Sequence, residues 1–160
     1  MTATTTPTTE TATTDTRAAD AVRAHHERMV DELTELAAAL ASSEGDDHAR
    51  ARGALVSWTR GELVPHALGE ERTFYSAAAT LEAGRLLVDS LVADHRVILG
   101  VLDALEASTD PAVTAAWADA LVRVFSAHAH KENDLVLPLL VASPGVSVAD
   151  ELHAMHGHAG

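Results

Sequence analysis

With 160 residues, 47% of them hydrophobic, the chain carries enough apolar side chain for one core and reads as a single compact domain. A net charge of −13 repels phosphate backbones and anionic lipid, and no basic stripe interrupts it, so nucleic acid and membrane surfaces are excluded as partners. Zero cysteine excludes disulfides, thiolate zinc sites and Cys-ligated clusters and fits a reducing, cytoplasmic setting; any metal must be held by nitrogen and oxygen.

Residues 1–16, MTATTTPTTETATTDT, contain ten threonines and no large aliphatic side chain after Met1. Such a segment cannot offset the entropy of ordering and is expected to be a disordered tail. No apolar run approaches the ~20 residues of a membrane span, and the start of the chain lacks the charged-then-apolar order of a secretory signal. Four long helical patterns then occupy residues 17–142. The first runs from about Arg17 to Ala41, with Val22, His26, Met29, Leu33, Ala37 and Leu40 on one stripe, and stops at SSEGDD. The second runs from about Asp47 to Tyr75 and contains Pro65, which removes a helical hydrogen bond and predicts a kink. The third, from about Thr80 to Ala107, carries Leu87, Leu91, His95, Ile98, Leu102 and Leu105. The fourth opens at Asp110 as N-cap with Pro111 in its first turn, and follows Trp117, Leu121, Val124, His128, Glu132 and Leu135 to Pro138. Residues 143–160 form an extension in which Ser147, with Asp150 three positions on, predicts the start of a short fifth helix. His153, His156 and His158 close the chain and read as a tail without a role.

Four helices with short connections predict an all-α, up-down-up-down four-helix bundle. Aromatic residues make up only 3% of the chain, so Ala, Leu and Val must build the core, which suits close helix packing. Against that background His26, His66, His95 and His128 stand out, one on the buried face of each helix. A single histidine there is usually a hydrogen-bonded core residue; four require another account. His66 is followed four residues later by Glu70, and His128 by Glu132. That spacing stacks imidazole and carboxylate one helical turn apart, ~5–6 Å between Cβ atoms, within reach of one ion. With ten histidines in the chain, roughly one such pair arises by chance, so the weight falls on the order. RAHHERMVDEL around His26 aligns with VADHRVILGVL around His95, and HALGEERTFYS from His66 aligns with HAHKENDLVLP from His128. The order is His, then His-x3-Glu, twice. Halves related by a pseudo-twofold axis bring four imidazoles and two carboxylates to one point. Six ligands exceed what one ion takes from protein, whereas two ions, each with two histidines and both bridged by the glutamates, use every one.

In this order of ligands, and in the HKENDLVLP ending of the fourth helix, the chain resembles the hemerythrin-like proteins with the HHE cation-binding domain over roughly residues 17–140. The resemblance implies a four-helix bundle around two non-haem iron ions with a bridging oxo or hydroxo group. It makes His26, His66, His95 and His128 the terminal ligands and Glu70 and Glu132 the bridging carboxylates. It also implies small-molecule partners: peroxide, dioxygen or nitric oxide. Two positions depart from the oxygen-carrying members. Those have a second histidine four residues after the one in the third helix, where this chain has Leu99, and an aspartate five residues after the last histidine, where it has Asn133. A missing ligand leaves a more open iron. This favours redox turnover, as in catalase-like disposal of peroxide under oxidative stress, over reversible carriage. A module that binds or senses oxygen, nitric oxide or iron without turnover is the alternative, and a redox-inert zinc site ranks below both.

Neighbouring side chains compete less well. His25 is set behind His26, because His26 aligns with His95 and shares the stripe of Leu33 and Leu40. His130 lies ~200° round the helix from His128 and reads as solvated. Tyr75 reads as packing at the end of the bundle, with its phenol bonding or ligating the centre as the alternative. Glu62, one turn before His66, reads as part of a solvated face, with support of that histidine as the alternative.

Overall fold

The structure is a computed structural model and describes residues 9–157; residues 1–8 of the expected tail, and His158, lie outside them. Helix α1 (Thr9–Ala41) leads to α2 (Gly45–Trp58), a π-helical turn (Thr59–Leu63), α3 (Val64–Arg72), α4 (Phe74–Ala79) and a 3-10 turn (Glu82–Gly84). Then come α5 (Arg85–Ala107), α6 (Pro111–Lys131), a second π-helical turn (Glu132–Val136), α7 (Leu137–Val141) and α8 (Val148–Gly157). Every element among the described residues is helical, and no helix is long and apolar enough to cross a membrane. Helix α1 packs against α2, α6 and α8, and α5 packs against α4 and α6.

The first helix begins at Thr9 rather than near Arg17, so the expected disorder of residues 1–16 does not hold for 9–16. The cause lies at the other end of the chain. Asp15 is buried, and its Oδ1 accepts hydrogen bonds from Ser147 Oγ at 3.0 Å and from Ala149 N at 3.1 Å. Asp150 N donates to Ser147 Oγ at 3.2 Å, so Ser147 caps α8 as its sequence predicts, with Asp15 holding the cap. Ala18, Ala19 and Val22 then pack with Val148 in one apolar cluster. Composition shows that a Thr-rich segment has no core of its own; it does not show that α8 covers it.

The two π turns accommodate the two prolines that interrupt the helical patterns. Pro65 and Pro138 each sit in the first turn of the α-helix that follows a π turn. Proline cannot donate to the carbonyl four residues back and its ring crowds that group, so a wider turn just before it relieves both problems. The extra residue also rotates the inner face by ~100°. Leu135, expected inside, is therefore 50% exposed while Val136 and Leu137 are buried. Trp117 likewise lies outward, and Ala118, Leu121 and Phe125 form the inner face of α6. The third helix starts at Arg85 rather than Thr80 because the backbone at Gly84 abuts α4: a Cβ there would lie 2.0 Å from the Ala78 carbonyl oxygen.

Two apolar clusters divide the interior. One gathers Met29, Leu33, Leu40, Leu55, Ile98 and Leu121, the other Val22, Phe74, Leu91, Leu137 and Leu140. Along α1, His26 falls between Val22 and Met29; along α5, His95 falls between Leu91 and Ile98. A polar layer is thus enclosed between two apolar halves, and each buried leucine there stabilises the fold by ~1.5–3 kcal/mol while keeping water off the layer.

Candidate metal centre

His26, His66, Glu70, His95, His128 and Glu132 are all buried in that layer. Glu70 Oε1 lies 3.1 Å from Nε2 of His26 and 3.1 Å from Nε2 of His66, while its Oε2 faces His95 Nε2 at 3.9 Å. Glu132 Oε1 lies 3.4 Å from His128 Nε2, and its Oε2 faces His26 Nε2 at 3.7 Å. Each glutamate therefore divides its two oxygens between two histidine pairs, His26 with His66 and His95 with His128. The donor atoms fall into two convergent groups, His26–His66–Glu70 and Glu70–His95–His128–Glu132, with Glu70 common to both.

Whether these residues suit a cation can be judged from the spacing of their donors. Two ligands each ~2.1 Å from an ion and at right angles to it lie ~3 Å apart. The observed separations of 3.1 Å within the first group, and 3.0 Å between the Nε2 atoms of His95 and His128, fit that spacing. His66 Nε2 adds a second sign. Although 3.1 Å from Glu70 Oε1, it is misaligned for a hydrogen bond and is a buried polar atom with no hydrogen-bond partner among the described residues. Leaving such a group unpaired costs ~1–3 kcal/mol, which a cation ligated there would remove.

The outward-facing nitrogens fix the rings. His26 Nδ1 donates to Asn133 Oδ1 at 2.8 Å and His95 Nδ1 to Glu71 Oε1 at 2.8 Å, and His128 Nδ1 faces Asp94 Oδ2 at 3.4 Å. Committing Nδ1–H outward leaves Nε2 as the inward donor. For His95 and His128 this sets two lone pairs against each other at 3.0 Å unless a proton or a cation stands between them. Lys131, the sole lysine, binds Asp94 Oδ2 at 2.5 Å.

Charge is shared accordingly. Burial works against protonating His26, but the hydrogen bond to Glu70 and the charges of Glu70 and Glu132 outweigh it and raise His26 to about 9. Burial would raise Glu70, yet His66 and His26 hold it well below the usual carboxylate range. The His26–Glu70 pair is thus an ion pair at neutral pH, with a proton where a cation can substitute. His128 is raised as well, burial being outweighed by its bond to Glu132. His25 is lowered to about 4 by burial and then by the charges of His66 and His26.

All six residues singled out by spacing meet in this layer. His130 is exposed, its Nδ1 donating to Ser126 O at 2.7 Å, and Glu62 is exposed too. His25 stays outside the donor groups but lies beside His66, ring centroids 4.9 Å apart. Tyr75 is the correction. Its hydroxyl donates to Glu132 Oε1 and lies 3.4 Å from Nε2 of both His95 and His128, so it belongs to the centre rather than only to end packing. A break at Thr73 (φ −116°, ψ −91°) turns it inward. Burial, followed by the charges of Glu132 and Glu70, pushes its phenol far above the ordinary value. Glu71 and Asp94 were also missed; each is the immediate neighbour of a candidate ligand, and that adjacency is the only signal the sequence offers.

Fold and site together define an all-helical protein with a buried histidine and carboxylate cluster suited to cations. The Hemerythrin HHE cation binding domain matches residues 17–140 and also 86–160, and the chain belongs to this family. Neither a curated protein nor a solved structure matches it.

Proposed function

We propose that the chain is a non-haem di-iron protein that reacts with small oxidants, peroxide foremost, in catalase-like turnover. The observation that carries the reading is that Glu70 and Glu132 each point one oxygen toward each histidine pair, an arrangement suited to bridging two ions. On this reading His26 and His66 hold one ion and His95 and His128 the other, within a bundle over residues 17–142 whose helices alternate up and down. Residues 143–160 form the extension that carries α8, and the setting is cytoplasmic.

Iron held by His26, His66, His95, His128, Glu70 and Glu132 would supply electron exchange with small oxidants such as peroxide, dioxygen or nitric oxide. The chain's own residues prepare the layer for that chemistry. The apolar clusters above and below exclude water. Asn133 holds the ring of His26 from outside and adds no ligand, and Leu99 supplies none, so two histidines per ion leave positions for an exogenous molecule. Tyr75 Oη holds its proton against Glu132 Oε1, beside the pair His95 and His128, and so orients that carboxylate toward the layer.

The test is iron-loaded protein mixed with peroxide at an oxygen electrode, alongside metal analysis. Oxygen release over many turnovers per chain, abolished in Glu70→Ala, is expected. A spectral response to nitric oxide or dioxygen without oxygen release from peroxide would replace turnover by a binding or sensing module. Zinc alone after growth in iron-rich medium would reject iron.

A further inference from the structure

We propose that the two ion positions are unequal: the one between His95 and His128 binds a divalent cation more tightly and fills first, because Glu71 and Asp94 back its imidazoles. This rests on the two-ion reading above and adds an order to it. Both positions draw on two imidazoles and on Glu70, but Glu132 converges with the His95–His128 group and reaches the other pair only at 3.7 Å from His26 Nε2, so the direct ligands already lean toward the same position. A second difference, separable by mutation, lies one layer further out.

His95 donates through Nδ1 to a carboxylate oxygen of Glu71 at 2.8 Å, and His128 Nδ1 lies 3.4 Å from a carboxylate oxygen of Asp94. A carboxylate on the outer N–H draws the proton toward itself, enriches the inner nitrogen and makes it a stronger donor to a metal. It also adds negative charge near the cation. The other pair lacks this support. His26 Nδ1 meets the neutral amide of Asn133, and among the described residues no carboxylate lies within ion-pair distance of the outer nitrogen of His66. The nearest ring to His66 is the imidazole of His25, which brings no negative charge.

Lys131 Nζ, 2.5 Å from the same Asp94 oxygen that faces His128, offsets part of that carboxylate's charge. Glu71, closer to its histidine, is therefore the stronger of the two positioning residues. Their side chains are 34% and 25% exposed, so amide replacements leave the core intact.

The experiment is anaerobic titration of metal-free, full-length protein with cobalt(II), followed by visible absorption and calorimetry. Two binding events are expected, with Kd values at least about tenfold apart. His128→Ala should remove the tighter event and His66→Ala the weaker. Glu71→Gln should weaken the tighter event by about 10–100-fold while leaving the weaker one unchanged, with partial rescue in Glu71→Asp. Asp94→Asn should act in the same direction by less. Two events of equal affinity, or an effect of Glu71→Gln on the event that His66→Ala removes, would overturn the inference and leave a two-ion centre standing. Absence of cobalt binding would overturn the centre and the inference together.

Discussion

The Tyr75 hydroxyl donates a hydrogen bond to Glu132 Oε1 across 57 positions of sequence, and its ring stacks on His95 with centroids 5.4 Å apart. Tyr75→Phe keeps the stack and removes only the donor. In metal-free protein this leaves a buried carboxylate oxygen without its partner, at a cost of about 1.5–3 kcal/mol. Denaturant titration should show that loss without metal and a smaller one with metal, because a bound ion satisfies the same oxygen. Equal losses in both forms would remove Glu132 Oε1 from the ligand set.

Spacing made the inner layer legible because a helix repeats its faces every 3.6 residues, which puts His66 over Glu70 and His128 over Glu132. The same rule hid Tyr75. In an unbroken helix a residue five positions after Glu70 lies ~140° round from it, and only the break at Thr73 brings the hydroxyl back. The π turns hid Leu135 in the same way, by adding a residue that periodicity does not count. Helix α1 was underestimated at its start because its cover, α8, lies at the far end of the chain. What escaped the sequence was set by breaks in helical phase and by contacts between distant segments, neither of which has a local signature.

Glu70 is common to both donor groups, whereas His66 serves one. Metal analysis of iron-loaded wild-type protein should therefore give about two ions per chain. Glu70→Ala should bring this close to zero, and His66→Ala should leave about one. Retention of a full ion by Glu70→Ala would show that this carboxylate is terminal.

The His26–Glu70 pair makes metal-free stability depend on pH. His26 is raised from 6.5 to about 9, so its contribution is complete below about 6.5 and is lost as pH climbs through 9. Glu70 is lowered, so its contribution is present above its ordinary value of 4.5 and is lost as pH falls through its depressed value. Metal-free Tm should thus be highest between about 4.5 and 6.5 and decline toward 9. Loaded protein should not show the alkaline decline, because the ion has replaced the proton on His26. Calorimetry at pH 7 in buffers of different ionisation enthalpy should find proton release on metal uptake. Parallel pH profiles with and without metal would contradict the exchange.

Replacing a buried ligand by leucine should affect metal-free stability differently at His26 and His66. His26 is bonded on both sides, to Glu70 at 3.1 Å and to Asn133 at 2.8 Å. His26→Leu strands the fully buried Glu70 carboxylate, and breaking a buried pair in this way costs about 3–5 kcal/mol. His66 presents a buried Nε2 that makes no hydrogen bond, so His66→Leu removes an unsatisfied atom and adds apolar contact. The gain is offset in part by the loss of its charge interaction with Glu70, and the net change should stay within about 1 kcal/mol. Both variants should lose metal, and with it the stabilisation that a ligand bound only to the folded state confers. Urea melts of the chelated variants measure the contrast. If His66→Leu cost as much as His26→Leu without metal, His66 would be a packing residue of the core, and the case for a cation at its Nε2 would fall with it.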